Sequence, residues 1–321
     1  MTSPISVYPS FVGLVKEVTP GTAVTPPTTF IPATTIASED VRNYVADQAM
    51  RGSAVDSYDQ IPTQGWGTFS FDGPVFMDSI GFILKGILGA EDLAGSGAPY
   101  THTMSVLNTG TYQAPTYTLY DYNGFEARQF PYGVFNSCQL TYGADGLLTH
   151  SSQAQAQAST GVSKPTQSFS ALKATAAYKT VVTIGGSATT LVESAQITIA
   201  RPTNPIIALN NSTSPTAIWG GPVAISGQLT AIYEDDTFLT PQLAGTATSV
   251  ELSTTDADSN ILDILCTDGL FTQAPITRNG NGWMEITISF TGVANTTDVT
   301  TAGGGYSPGI VTLTNSRSTA Y

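Results

Sequence analysis

One short segment constrains the fold more than any other: Phe71-Asp72-Gly73-Pro74 and the run from Val75 to Gly89. It is the one convincing helical pattern in 321 residues that otherwise read as strand and turn. Pro74 suits a first helical position, where its missing N–H costs nothing, and Asp72 would sit beside the positive end of the helix. Phe76, Ile80, Ile83, Leu84, Ile87 and Leu88 recur at three- and four-residue steps, which predicts one apolar core face. Gly89 closes the run as a C-cap glycine does. A single amphipathic helix, about 74–88, on a large all-β body predicts a mainly β fold: a sandwich or partial barrel with one flank covered by that helix.

Charged residues make up 11% of the chain, less than half the usual share of about 25%. Abundant Thr, Ser, Ala and Gly take their place, so much of the surface is suited to contact with copies of itself, since interface cores are depleted in charge. No stretch approaches the ~20 apolar residues of a membrane span, and the longest, Ile80 to Leu88, contains Lys85. The formal net charge is −13, from 24 acids against 11 bases. Beyond Pro205 the bases are Arg278 and Arg317 alone. Without a basic stripe, affinity for nucleic acid through phosphate neutralisation is not expected. An acidic surface instead repels a polyanion and lets it pass.

Met1 to Tyr8 shows no basic n-region and no apolar h-region, so no secretory signal is expected. Cys138 and Cys266 lie in apolar strand-like runs and read as buried free thiols.

Along the chain, Val12 to Val18 is a short apolar run. Pro20 to Pro32 is rich in Pro and Thr and reads as an extended arm or loop. Ser38 to Gln64 reads as two long strands or an extended loop. Asn123-Gly124 and Gly185-Gly186 are hairpin signals that demand φ > 0 at both turn positions. The alternation from Gln153 to Ala158 gives one small apolar face and one face of neutral amides, as a strand would. Pro222 to Glu234 reads as a long strand turning at Glu234-Asp235-Asp236. Ser137-Cys138-Gln139-Leu140-Thr141 is echoed by Ser226-Gly227-Gln228-Leu229-Thr230, which suggests two neighbours in one sheet. Three divisions follow: an arm and first strand over 1–37, a β domain over 38–293 with a possible internal boundary near 161–166, and a Thr/Gly-rich tail over 294–321.

No motif implies catalysis, a cofactor or a metal. His102 and His150 are the only histidines, neither in a metal or triad motif, and each reads as a strand residue on a polar face. Asp256-Ala257-Asp258-Ser259-Asn260 starts like a calcium loop, but Ile261 and Thr267 stand where glycine and glutamate are needed. A loose surface calcium site there, shared with Glu234-Asp235-Asp236, is the alternative to a solvated acidic turn. Trp66, Trp219 and Trp283 read as core or interface anchors, with a sugar-stacking platform as the rival.

The order of these features resembles the major tail tube proteins of long-tailed bacteriophages. Gly13-Leu14-Val15-Lys16-Glu17-Val18-Thr19-Pro20-Gly21-Thr22-Ala23-Val24-Thr25-Pro26 is similar to that family's opening strand and T-P-G-T stretch. Gly73 to Gly89 resembles its single helix, Thr116 to Asp121 its Y-T-L-x-D strand, and Val223 to Asp236 its late strand; the similarity runs from residue 11 to about 293. The resemblance implies a structural virion protein, made in the host cytoplasm, whose rings (hexameric in expectation) close a larger β-barrel. The rings stack into a tube that carries DNA without binding it. Partners are then copies of itself and other tail proteins at the tube ends. Under this reading Gln153, Gln155 and Gln157 are candidate lumen residues, and Glu234, Asp235 and Asp236 a candidate acidic hairpin turn. The hairpins of Val134 to Ala158 and Pro222 to Leu252 would build the inner sheet. Arg42, Tyr44, Arg51 and Tyr58 would reach a neighbouring ring, and Phe76, Ile80, Ile83, Leu84 and Ile87 would form the core face of the outer helix. The rival reading is a non-catalytic carbohydrate-binding or adhesin-like β-sandwich.

Overall fold

A computed structural model describes residues 4–278 and 282–321. Met1 to Ser3, the start of the segment read as lacking a signal, lie outside the described residues. The first half runs β1 (Phe11–Lys16), β2 (Thr29–Ile31), β3 (Thr35–Asp47), β4 (Asp59–Pro74), α1 (Ile80–Leu88), β5 (Gly89–Ala94), β6 (Tyr100–Val106), β7 (Tyr117–Tyr122), β8 (Ala127–Gly143), β9 (Thr149–Ala156) and β10 (Thr160–Val162). The second half runs β11 (Thr180–Ile184), β12 (Ser187–Thr189), β13 (Val192–Ala200), β14 (Thr203–Ile206), β15 (Ala217–Gly220), β16 (Ala224–Ile232) and α2 (Leu239–Ala244). It ends with β17 (Thr248–Thr255), β18 (Ile261–Gln273), β19 (Ile276–Arg278), β20 (Met284–Gly292) and β21 (Ile310–Asn315). The fold is mainly β, at 51% strand and 6% helix, with antiparallel sheets and no closed barrel.

Three sheet regions share one core. The first is ordered β3-β4-β9-β8-β13-β16-β20, with β18 and β19 beyond β20. The second is ordered β12-β11-β17-β18-β21-β6-β5. A third, smaller region places β1 between β2 and β7, and β7 against the start of β8. Two-residue alternation sends Phe69 and Phe71, Cys138 and Leu140, Ile197 and Ile199, and Ile286 and Ile288 inward, where Leu252, Ile264 and Val311 of the second sheet meet them.

The helix differs from expectation in two ways. It starts at Ile80, not Pro74, because Asp72, Gly73 and Pro74 are still laddered to Ser151, His150 and Thr149 of β9. Phe76 therefore precedes the helix and is only half-buried, whereas Ile80, Ile83, Leu84 and Ile87 are buried as the periodicity requires. All nine helical residues are buried, so α1 does not cover a flank from outside. It packs against β8 and β13 of one sheet and β5 and β6 of the other. Gly89 does cap it, with φ 95° and its N–H donating to the Lys85 carbonyl. A second, short helix, α2, was not foreseen.

Other differences follow from strand pairing. Glu234-Asp235-Asp236 is not a hairpin turn: both edges of β16 are already taken by β13 and β20, so the chain turns into α2 and delivers β17 to the other sheet. Asn123-Gly124 forms a longer turn in which only Gly124 has positive φ, because the Asn123 carboxamide accepts the N–H groups of Phe125 and Glu126. Gly185-Gly186 is a two-residue turn with both φ positive. The echoed segments flank one strand, since Thr198 of β13 lies opposite Gln139 on one side and Ser226 on the other.

The last residues are part of the core. β21 is paired on both sides, by β6 and β18. Beyond it only Arg317 and Tyr321 turn inward, and the Tyr321 ring packs on Phe82 and His102 at centroid distances of 5.0 and 4.8 Å. Gly81 is required there, because a Cβ would meet that ring at 2.3 Å. Glu91, its side chain fully buried, accepts from Lys85 Nζ at 3.0 Å and from the Tyr321 N–H at 3.1 Å. His102, read as facing a polar surface, is instead wholly buried. Its Nδ1 lies 2.7 Å from Glu91 and its Nε2 2.9 Å from the Arg317 carbonyl, which sets an acceptor against each ring nitrogen. Tyr321→Ala is expected to cost about 3–5 kcal/mol by emptying this site, read as a lowered midpoint in urea unfolding.

Candidate functional site: a base-free sheet face and its projecting hairpin

The outward side of the first sheet is a broad surface of small and neutral polar side chains. One row crosses the sheet through Thr35, Asp72, Ser151, Gln139, Thr198, Ser226 and Thr291. The next row toward the hairpin holds Ala37, Ser70, Gln153, Ser137, Ala200 and Ala224, and the row on the other side Thr149, Thr141, Gln196, Gln228 and Ser289. These rows contain no lysine or arginine. Their one acid is Asp72, with Glu39 and Glu285 at the margins. Gln153 is exposed and Gln155 partly so, both on this face. Gln157 lies past the end of β9 with its amide donating to the Pro215 carbonyl at 2.8 Å, so it does not extend the row. A groove of about 480 Å³ crosses the face, lined by Glu39, Ser70, Asn136, Gln153, Gln155 and Thr203 among others. The two hairpins expected to form this face contribute unequally: β8, β9 and β16 belong to it, and β17 does not.

β3 and β4 extend beyond the body as a hairpin. Tyr44, Val45 and Ile61 on it are more than half exposed or close to it, at 58, 57 and 50%. Near its tip Arg51 pairs with Asp47, and its guanidinium lies 5.0 Å from the Tyr58 ring centre. Arg42 and Tyr44 stand nearer the body, exposed, on β3. The acids Glu234, Asp235 and Asp236 are exposed beside α2, with the Thr237 N–H donating to Asp235.

The structure also assembles a constellation invisible in sequence. Pairing of β8 with β9 sets Cys138 opposite Ser152, whose hydroxyl donates to Sγ at 3.7 Å and lies 2.9 Å from His150 Nδ1. A Cys-Ser-His relay of this kind invites a nucleophilic reading, but the electrostatics oppose it. Burial pushes the Cys138 thiol up to about 12 and the His150 imidazole down to about 4, the reverse of an activated thiolate–imidazolium pair. His150 is the second histidine misread as surface; it packs edge-on to Phe71 at 5.6 Å. Asp256, the first residue of the calcium-like turn, spends its carboxylate on the N–H groups of Asp258 and Asn260 and on the Asn260 amide. The three tryptophans stand apart, Trp66 on β4, Trp219 on β15 and Trp283 just before β20, none in the core, with Trp219 and Trp283 about half exposed at 49 and 47%.

The opening motif has a physical explanation that sequence reading missed: Glu17. Its buried carboxylate accepts from the Gly21 and Tyr132 N–H groups, both at 2.8 Å, and from the hydroxyls of Thr116 and Thr118 at 2.7 and 2.9 Å. Thr19-Pro20-Gly21-Thr22 forms a turn closed by Thr22 N–H to the Thr19 carbonyl, with Gly21 at φ 80°. The family described as phage tail tube protein matches residues 10–292. The chain belongs to this family. Membership makes it a structural protein of the virion tail that associates with copies of itself and with other tail proteins. No curated protein matches the chain. Among the described residues no helix is long and apolar enough to cross a membrane.

Two shifted groups, buried His150 and partly buried Asp263, give opposite pH dependences. The unfolded chain binds protons at His150 that the folded chain refuses, so stability is lost as pH falls from about 6.5 toward 4. Asp263 is pushed up to about 7 by burial and by nearby Glu251, so its contribution rises as pH falls over the same window. His150→Gln is expected to lose less stability than the parent between pH 7 and 4, by up to about 3 kcal/mol. Asp263→Asn should lose more. Urea unfolding across that range measures both.

Proposed function

We propose that the chain assembles into closed rings, hexameric in expectation, that stack into the tail tube, with the base-free face turned to the lumen. The observation that carries this reading, beside family membership, is the three-row face of neutral Ser, Thr, Gln and Ala side chains. DNA carries one charge per ~1.7 Å of axis, and every lysine or arginine on a wall releases counterions and adds a contact. A conduit must present donors and acceptors that hydrate the wall without a cation that holds phosphate. Asp72 and Glu39 add weak repulsion, which favours passage over adsorption. The β3–β4 hairpin then reaches the adjacent ring, where Tyr44, Val45, Ile61 and Tyr58 offer the apolar and aromatic surface that interfaces favour.

Lysines at Gln139, Gln153 and Gln196 together test the lumen assignment. Tubes should assemble, as seen by negative-stain microscopy, while DNA ejection slows at least several-fold and more so at low salt. Normal ejection, with those lysines labelled by an amine reagent from outside an intact tube, would overturn the assignment.

A further inference from the structure

We propose that each ring is sealed by the free edge of β3 from one copy lying antiparallel to the β18–β19 edge of the next, with Ala37 and Glu39 opposite Thr277. This rests on the ring-forming reading above and names the surface that makes the ring. Among the described residues β3 pairs only with β4, and β19 only with β20; Leu270 to Gln273 of β18 likewise pair only with β20. A thirteen-residue strand left open in this way is a template for another chain.

Direction and register both follow from the pairing. From β3 through β4, β9, β8, β13, β16 and β20 to β18 and β19, every neighbour is antiparallel. The run occupies eight strand positions, an even number, so its two ends point in opposite directions. Rotation about a ring axis preserves direction along that axis. It therefore sets the β3 edge antiparallel to the neighbour's β18–β19 edge, continuing the sheet without a parallel seam. An odd number would have forced a parallel pairing.

The edges are also offset along the strands. Thr35, the first residue of β3, is level through the row with Leu270. From that row β3 runs only toward the hairpin tip, while the open edge, Leu270 to Gln273 of β18 followed by β19, runs the other way. A closed barrel requires such a stagger, because its strands tilt by about 36–45°. Eight strands about 4.8 Å apart then accumulate a shift of about 28–38 Å, or roughly 8–11 residues. Ala37 and Glu39 stand two and four residues above the row, and Thr277, opposite Glu285, stands six below it. Both positions therefore fall within the required shift of Thr277, and all three side chains lie on the base-free face.

Paired cysteines read the seam directly. Ala37→Cys with Thr277→Cys, or Glu39→Cys with Thr277→Cys, should give ladders of covalent multimers when assembled tubes are oxidised. Each single variant, and Ala37→Cys with Thr183→Cys on the opposite sheet, should not. Tubes visible by microscopy without a ladder from either pair would overturn the seam while leaving the ring reading intact. Failure of the unmodified chain to form rings at any concentration, with tail-initiating proteins present, would remove both.

Discussion

The Glu17 carboxylate sits where the molecule changes direction. β8 pairs with β7 and β10 over its first residues and with β9 and β13 over the rest, and the change comes at Pro131-Tyr132-Gly133. Tyr132 holds φ 57°, an uncommon conformation for a residue with a side chain, and its N–H donates to Glu17. Gly133 has no room for a Cβ, which would meet the Tyr117 carbonyl at 2.7 Å. One buried anion thus fixes the bend of β8, the start of β7 and the turn after β1 together. Lose it and the smaller sheet no longer has a defined angle to the larger one.

β18 makes the complementary change at the other side of the core. Its first half belongs to the sheet containing β17 and β21, and its end to the sheet containing β20. Gly269 stands at the crossing, where a Cβ would lie 2.7 Å from the Thr248 carbonyl. Two strands that each serve two sheets close the core at both sides, and α1 packs within it against β8, β13, β5 and β6. That is why the helix is buried on every side and why its one cation, Lys85, needs Glu91.

Ionisable groups in the interior are held by structure rather than poised for chemistry. Arg201 donates to the carbonyls of Gly221, Ile87 and Tyr112, joining the helix end to the loops beside β15. Asp298 accepts the Thr267 N–H and hydroxyl and the Asn295 amide. Arg201 and Asp298 thus exchange their water contacts for protein partners, as burial demands. On the outward side of the first sheet, alternation turns Ser, Thr and Gln outward without a cation.

Periodicity by itself determined that the chain is mainly β, where many of its strands lie, and that Ile80 to Leu88 is helical and closed by Gly89. It determined the Gly185-Gly186 hairpin and the neutral face of β9, because turn chemistry and two-residue alternation act over a few neighbouring residues. The order of motifs likewise carried the family. Tertiary structure alone decided what long-range pairing controls. Pro74 is strand because β9 lies beside it. The acidic turn leads to a helix because both edges of β16 are occupied. His102 and His150 are interior because Glu91, Arg317, Ser152 and Phe71 meet them there. Glu17, an isolated acid in the sequence, became the pivot of the fold only when its own turn and two distant segments brought four donors to one carboxylate.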